Sequence, residues 1–251
     1  MVFLPLALCA LAARLAAAPT VTLDVVLARA RAALGPEPAL DAVQSISYIG
    51  RVELDERGGK EPHQSTGTME LTVLKPNRQR LVQVLDGIRE IIGINETEGW
   101  HRTEPVGQPF RARVTLLDRA MTRRMQAYAF ENLSFYRGLE KLGGRVELRN
   151  ETGFAGHPAV EVAFIHPDGV TFLNTFDIQT GKLLQTVTDD GITIQEEGEV
   201  RSGGIVFPHK VTSVQQFRDG RTRTIVVTFD EIRVNPKIDP ASFLVTMPGQ
   251  P

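Results

Sequence analysis

One cysteine occurs in the 251 residues, Cys9, and it sits in the apolar stretch at the N-terminus. The rest of the chain therefore has no disulfide, no thiol nucleophile and no thiolate metal site. Histidine is sparse as well. His63, His101, His157, His166 and His209 never fall three or four residues apart, and no acidic neighbour completes a metal-ligand pattern. No metal site and no cofactor are expected. A basic excess is also missing: 28 Lys and Arg against 30 Asp and Glu leave a formal net charge of −2, without the electrostatic footprint of a nucleic-acid binder. The Gly-x-Ser-x-Gly elbow of a hydrolase is absent, and Ser202-Gly203-Gly204 reads as a turn. With no catalytic residue to name, the sequence does not read as an enzyme.

Long apolar runs are lacking too. The stretch MVFLPLALCALAARLAAAP is broken by Arg14 and falls short of the roughly 20 apolar residues that span a bilayer. It reads as an export signal over 1–18, ending in the small residues Ala16-Ala17-Ala18, with 19–251 as a single domain. Leu8 stands before Cys9 where a lipid-attachment site needs a small side chain, so a soluble exported product is expected.

The patterning of the remainder is mostly that of strands. Thr22 is placed to cap a helix whose Leu23, Val26, Leu27, Ala30 and Leu34 share one face, ended by Gly35-Pro36, and Pro38 starts a short helical turn. From Ile46 the period changes to two. Met69, Leu71 and Val73 alternate with Thr68, Glu70 and Thr72, and Asp86-Gly87 marks a hairpin. Between Thr115 and Leu142 the helical period returns. Thr115 and Asp118 form a capping pair there, Leu117, Met121, Met125 and Tyr128 form a stripe, and a second helix is capped by Asn132 or Ser134 and closed by Gly143-Gly144. Strands resume afterwards, with turns at Asp168-Gly169, Thr180-Gly181, Asp190-Gly191 and Asp219-Gly220. The acidic run Glu196, Glu197 and Glu199, near Asp189 and Asp190, lacks the spacing of a calcium loop and reads as a solvated hairpin. Arg111, Arg113, Arg119, Arg123 and Arg124 make the central segment locally basic, and read as a solvated helix face.

About ten or eleven strands at regular spacing form an antiparallel sheet that must curl, and the economical arrangement wraps it around the helices. Periodicity alone favours a dry core between them.

Three segments carry a family resemblance. VVLARARAALGPEPALDAVQSISYIGRVEL, GTMELTVLKPNRQRL, and GGIVFPHKV with FDEIRVNPKIDPASF resemble the opening helix and first strand, the strand ending in Lys-Pro, and the closing segments of the LolA/LolB-like periplasmic lipoprotein carriers, the outer-membrane lipoprotein-sorting group. The resemblance implies a mainly β fold with an α lid: a curved, antiparallel, half-open β-barrel of about eleven strands enclosing two or three helices. It also implies a monomeric periplasmic protein that takes lipoprotein or lipid acyl chains and hands them to an envelope or outer-membrane acceptor. Met69, Leu71, Val73, Trp100, Leu117, Met121, Met125 and Phe172 are the candidate groove residues, with Trp100 either gating a cavity or packing a corner of the sheet. Arg51, Arg78 and Arg80 are candidates for the early-strand arginine that latches the lid. The competing reading is an envelope sensor or interaction module with a filled interior.

Overall fold

The computed structural model describes residues 21–59 and 61–245, so the expected export signal over 1–18 lies outside the described residues. Thr22 caps α1 (Leu23–Leu34) by accepting from the Val25 amide, and Gly35 follows its last turn. Pro36 precedes α2 (Glu37–Asp41). The chain then runs through β1 (Ser45–Arg57), β2 (His63–Leu74), β3 (Arg78–Leu85), β4 (Ile88–Asn95), β5 (Glu98–Pro105) and the short β6 (Arg113–Leu116). These six strands form one continuous meander. Asp86 and Gly87 adopt φ of 51° and 73°, the left-handed pair that a two-residue hairpin between β3 and β4 requires.

After β6 comes α3 (Arg119–Ser134), followed by β7 (Arg145–Phe154), β8 (His157–Ile165), β9 (Thr171–Asp177), β10 (Leu183–Thr188) and β11 (Ile192–Glu197). A small separate hairpin, β12 (Val200–Ser202) and β13 (Ile205–Phe207), precedes β14 (Lys210–Gln216) and β15 (Thr222–Val234). Thirteen strands make one antiparallel sheet in the order β6-β5-β4-β3-β2-β1-β15-β14-β11-β10-β9-β8-β7. The sheet does not close, because β6 and β7 are its two edges. Its strand count exceeds the expected eleven, and the half-open architecture with helices is as the sequence implies.

The central segment departs from its reading in two places. Thr115 does not cap a helix; it lies in β6, opposite His101, where Val114 and Leu116 pair with Arg102 and Trp100. Asp118 alone caps α3, its carboxylate accepting from the Met121 amide at 2.7 Å. Strand pairing outweighs the helical period there because β5 offers a free edge. The expected second helix is reduced to a single 3₁₀ turn, Leu139–Leu142, because Phe135 and Tyr136 both take positive φ and end the helical run.

The concave face of the sheet is divided by α3. On one side Ile46, Tyr48, Val52, Met69, Val73, Phe229 and Ile232 pack with Leu40, Val43, Ile205 and Phe207, and with Ala129, Leu133 and Phe135 at the end of α3. On the other side Val160, Val162, Phe164, Phe172 and Phe176 pack with Val26 and Ala30 of α1, Leu139 and Ala127. Each such large side chain contributes about 1.5–3 kcal/mol of burial, so both helices are held chiefly by their apolar faces. Within the described residues no helix is long and apolar enough to cross a membrane.

Candidate functional site

The helical layer is fastened by polar ties as well as by its core contacts. Arg31 of α1 is buried, and its guanidinium reaches three residues on two elements: Nε and Nη2 donate to the Glu37 carboxylate of α2, Nη2 also meets Asp41 of α2 at 3.0 Å, and Nη1 donates to the Phe135 carbonyl at the end of α3 at 2.8 Å. That carbonyl closes the C-terminal end of α3. Along its length α3 is tied to two turns of the sheet. Arg123 pairs with Asp168 at 3.0 Å, Arg124 makes a fork with Asp189 and meets Asp190 at 3.3 Å, and Glu131 meets His166 at 2.8 Å. Burial pushes the Glu131 carboxyl upward, an effect that the His166 contact offsets in part. The arginines expected on a solvated face are thus partly engaged with the rim of the sheet.

The three early-strand arginines are engaged with the sheet itself. Arg51 pairs with Asp230 on β15, Arg78 bonds Asn95 and Glu96, and Arg80 is half-buried near Glu70 and Arg89. Arg31 carries the latching geometry. Its position on α1, seven and eight residues after Asp24 and Leu23, gives no sign of that role, because its acidic partners lie beyond the Gly35-Pro36 break.

The candidate groove residues are distributed over more than one environment. Met69, Leu71 and Val73 belong to the first core cluster, and Phe172 to the second, where Tyr128 of α3 meets its ring edge-on at 5.1 Å. Leu117 lies over Gly99 and borders a cleft of about 480 Å³ with Leu116, Arg119, Thr122 and Arg123. Met125 is half-buried and Met121 is exposed. Trp100 lies on the opposite face, buried beneath the turn at Pro240–Phe243, where its indole N–H donates to the Phe243 carbonyl at 2.9 Å. Its role there is to pack the outer face of the sheet.

A second cavity, of about 410 Å³, opens between α1 and the far half of the sheet. One wall is Ala30, Ala33 and Leu34 of α1; the opposite wall is Leu183, Leu184, Val206 and Phe207, with Tyr136 at the end of the α3 segment. Its size is within the range of about 300–1,000 Å³ typical of small-ligand sites. Gly181 at its edge has φ of 75°, and a Cβ there would come within 2.5 Å of the Arg29 backbone, so only glycine lets α1 lie this close to the turn.

Glu196 points into this cavity. It faces the concave side because it pairs with Val211, which packs on the first core cluster, whereas its neighbour Glu197 faces out to Lys210. The acidic run is exposed, as a solvated hairpin requires, with Glu196 turned to the concave side. Alternation is the available signal, since Ile192, Ile194 and Glu196 fall on one side of the strand. Glu196 is exposed through the cavity opening; the protein packed around it draws its carboxyl up toward about 7, and the water that reaches it screens part of that effect. Among the described residues no cation offsets the effect. The negative charge of Glu196 in turn adds to the burial that raises the hydroxyls of Tyr48 and Tyr136.

The proton linkage gives a testable sign. Between the ordinary glutamate value of about 4.5 and the raised value of about 7, folded Glu196 holds a proton that the unfolded chain has released. Stability then falls as pH rises through that window and levels off above it. Glu196→Gln is expected to melt with wild type below about pH 4.5 and at a higher temperature above about pH 7. Thermal melts across that range check this, and equal shifts at both ends would place the carboxylate outside the cavity.

No protein-family model and no curated protein matches the sequence. Solved structures do match its shape. A LolA superfamily protein from Nitrosomonas europaea aligns over 90% of this chain and 98% of its own, at 10% identity and a TM-score of 0.58. The chain has the LolA-like fold. A DUF1329 family protein from Desulfovibrio piger aligns over 88% of this chain and 96% of its own, at 11% identity and a TM-score of 0.55. A domain described as outer membrane lipoprotein-sorting, from Vibrio parahaemolyticus, aligns over 87% and 95%, at 14% identity and a TM-score of 0.54. At such identities the likeness is one of architecture. The LolA-like half-barrel places α1 and α3 over its concave face, and the cavity containing Glu196 lies beneath α1. Among the described residues no group of three or more His, Cys, Asp or Glu is arranged to hold a metal ion.

Proposed function

We propose that the protein is a non-catalytic periplasmic carrier that binds lipid or lipoprotein acyl chains and passes them to an envelope or outer-membrane acceptor. In this reading residues 1–18 direct export and 19–251 form the single carrier domain. The observation that carries it is the cavity under α1, whose two long walls are aliphatic and aromatic and whose roof is a helix held by separable ties. The LolA-like fold is consistent with it. Burial of an acyl chain supplies about 0.8 kcal/mol per methylene without any covalent step. The groove residues Met69, Leu71, Val73 and Phe172 would then act as the packed floor beneath the helices, with Leu117, Met121 and Met125 along the second cleft.

Titration of the purified protein with a fluorescent naphthylamine probe, followed by displacement with dodecanol, tests the proposal. Saturable binding is expected, and Ala33→Trp, which fills the cavity from the α1 wall, is expected to weaken it by about tenfold or more. Absence of saturable binding in the wild type would end the carrier reading. The filled interior on both sides of α3 favours the alternative, an interaction module whose helices are fixed. That module would bind no probe and would be indifferent to Ala33→Trp.

A further inference from the structure

The cavity beneath α1 is not uniformly apolar, and its polar groups are unbalanced. The Glu196 carboxylate, from β11, and the Tyr136 hydroxyl, beyond α3, both line it. Neither group has a hydrogen-bond partner among the described residues; Tyr136 is half-buried, and Glu196 is open to solvent through the cavity. Tyr136 is fixed by its ring, edge-on to Phe176 at 5.0 Å and tilted against Phe164 at 5.9 Å, so its hydroxyl is held in place without any polar contact. Tyr48, edge-on to the cavity residue Phe207, lies within the field of Glu196. Among the described residues the one cation on the cavity lining, Lys182, is already engaged: its ammonium meets Glu199 at 2.6 Å at the solvent-exposed rim. The lining therefore carries two carboxylates against one ammonium, and the unpaired charge is the inner one, Glu196.

A carboxylate without a counter-charge on the wall of a largely apolar cavity marks a polar end to that cavity, and an orienting polar group in an apolar pocket normally meets a complementary group on the ligand. We propose that Glu196 and Tyr136 form a headgroup subsite that selects acyl ligands bearing an ammonium group next to the chain over those bearing a carboxylate. The inference rests on the acyl-chain reading above and specifies which end of the ligand the cavity recognises. The chain lies along Ala30, Ala33 and Leu34. The ammonium meets the Glu196 carboxylate, and the Tyr136 hydroxyl supplies a further acceptor for one of its three protons. A carboxylate ligand would be repelled by Glu196 and would have to displace Glu199 from Lys182. The raised carboxyl of Glu196 agrees with a site that lacks its counter-charge until such a ligand arrives.

Dodecylamine, dodecanol and dodecanoate share one chain and differ only in the headgroup. Displacement of the naphthylamine probe by each, at about pH 8 where Glu196 is ionised and the amine is charged, separates headgroup recognition from chain burial. Dodecylamine is expected to bind at least about tenfold more tightly than dodecanol, and dodecanoate more weakly than either. Glu196→Gln is expected to bring the dodecylamine-to-dodecanol affinity ratio down to about one, and a cooperative thermal melt shows that the variant is folded. Tyr136→Phe, which keeps the ring contacts, is expected to reduce the preference in part. Equal binding of the three ligands, a preference for dodecanoate, or an amine preference that survives Glu196→Gln would overturn the subsite and leave the acyl-chain reading standing. Failure of all three to bind would overturn both.

Discussion

Arg31→Ala is expected to destabilise the protein by about 2–3 kcal/mol, a large loss for a single side chain on a helix, because hydrogen bonds from a charged donor contribute more than neutral ones and several are lost together. The guanidinium is 3% exposed, forks onto Glu37, and caps the Phe135 carbonyl 104 residues away. Glu37 and Asp41 are half exposed and can return to water. The carbonyl at the end of α3 is buried and cannot, so it supplies much of the cost. Arg31→Lys keeps the charge but not the planar fork, and should recover less than half of the loss. Urea unfolding of the two variants measures this. Amide exchange along α3 should accelerate in Arg31→Ala before global unfolding, whereas a loss below about 0.5 kcal/mol would show that the surface ties to Asp168 and Asp189 hold the helices unaided.

The second large effect is expected on the opposite face of the sheet. Gly93 on β4 stands directly across from Trp100 on β5, and the indole lies flat over it: a Cβ at Gly93 would fall 2.3 Å from the ring. Gly93→Val must eject the indole or separate the strands. Either outcome breaks the bond to the Phe243 carbonyl and uncovers Phe243, which is fully buried. A loss of about 3–5 kcal/mol is expected, the range of a large aromatic removed from a core. Because Trp100 is the sole tryptophan, its emission reports the event directly: red-shifted in Gly93→Val, and unchanged in a variant of the exposed Gly107. Retention of native emission together with native stability would show that the outer face does not depend on this contact.

Strand features that depend on neighbouring residues are legible in the sequence alone. Asp86-Gly87 fixes its hairpin through two left-handed residues, and Met69, Leu71 and Val73 face inward because a strand alternates. Features decided by distant partners are not. Thr115 sits in a helical pattern but pairs with His101, since the free edge of β5 is invisible in the local sequence. Trp100 could gate a cavity or pack a corner, and only the return of the C-terminal segment over β4 and β5 decides between these. Arg31 finds its third partner 104 residues away. Glu196 is intermediate: the alternation that turns it inward is local, but its acidic neighbours obscure it, and the cavity it enters exists only once α1 has docked.

The chain order of the sheet also bears on how the molecule assembles. All but two of the adjacent strand pairs join strands that are consecutive in sequence; the exceptions are β11 with β14, separated by one small hairpin, and β1 with β15. Two meanders can therefore form through short loop closures, one running outward from β1 and one inward from β7. The long β1–β15 ladder that joins them closes a loop of most of the chain. Contacts of such sequence separation are slow to form. The seam at β1 and β15 is the longest-range pairing in the sheet, and it joins two half-sheets that are otherwise linked along the chain by the α3 segment.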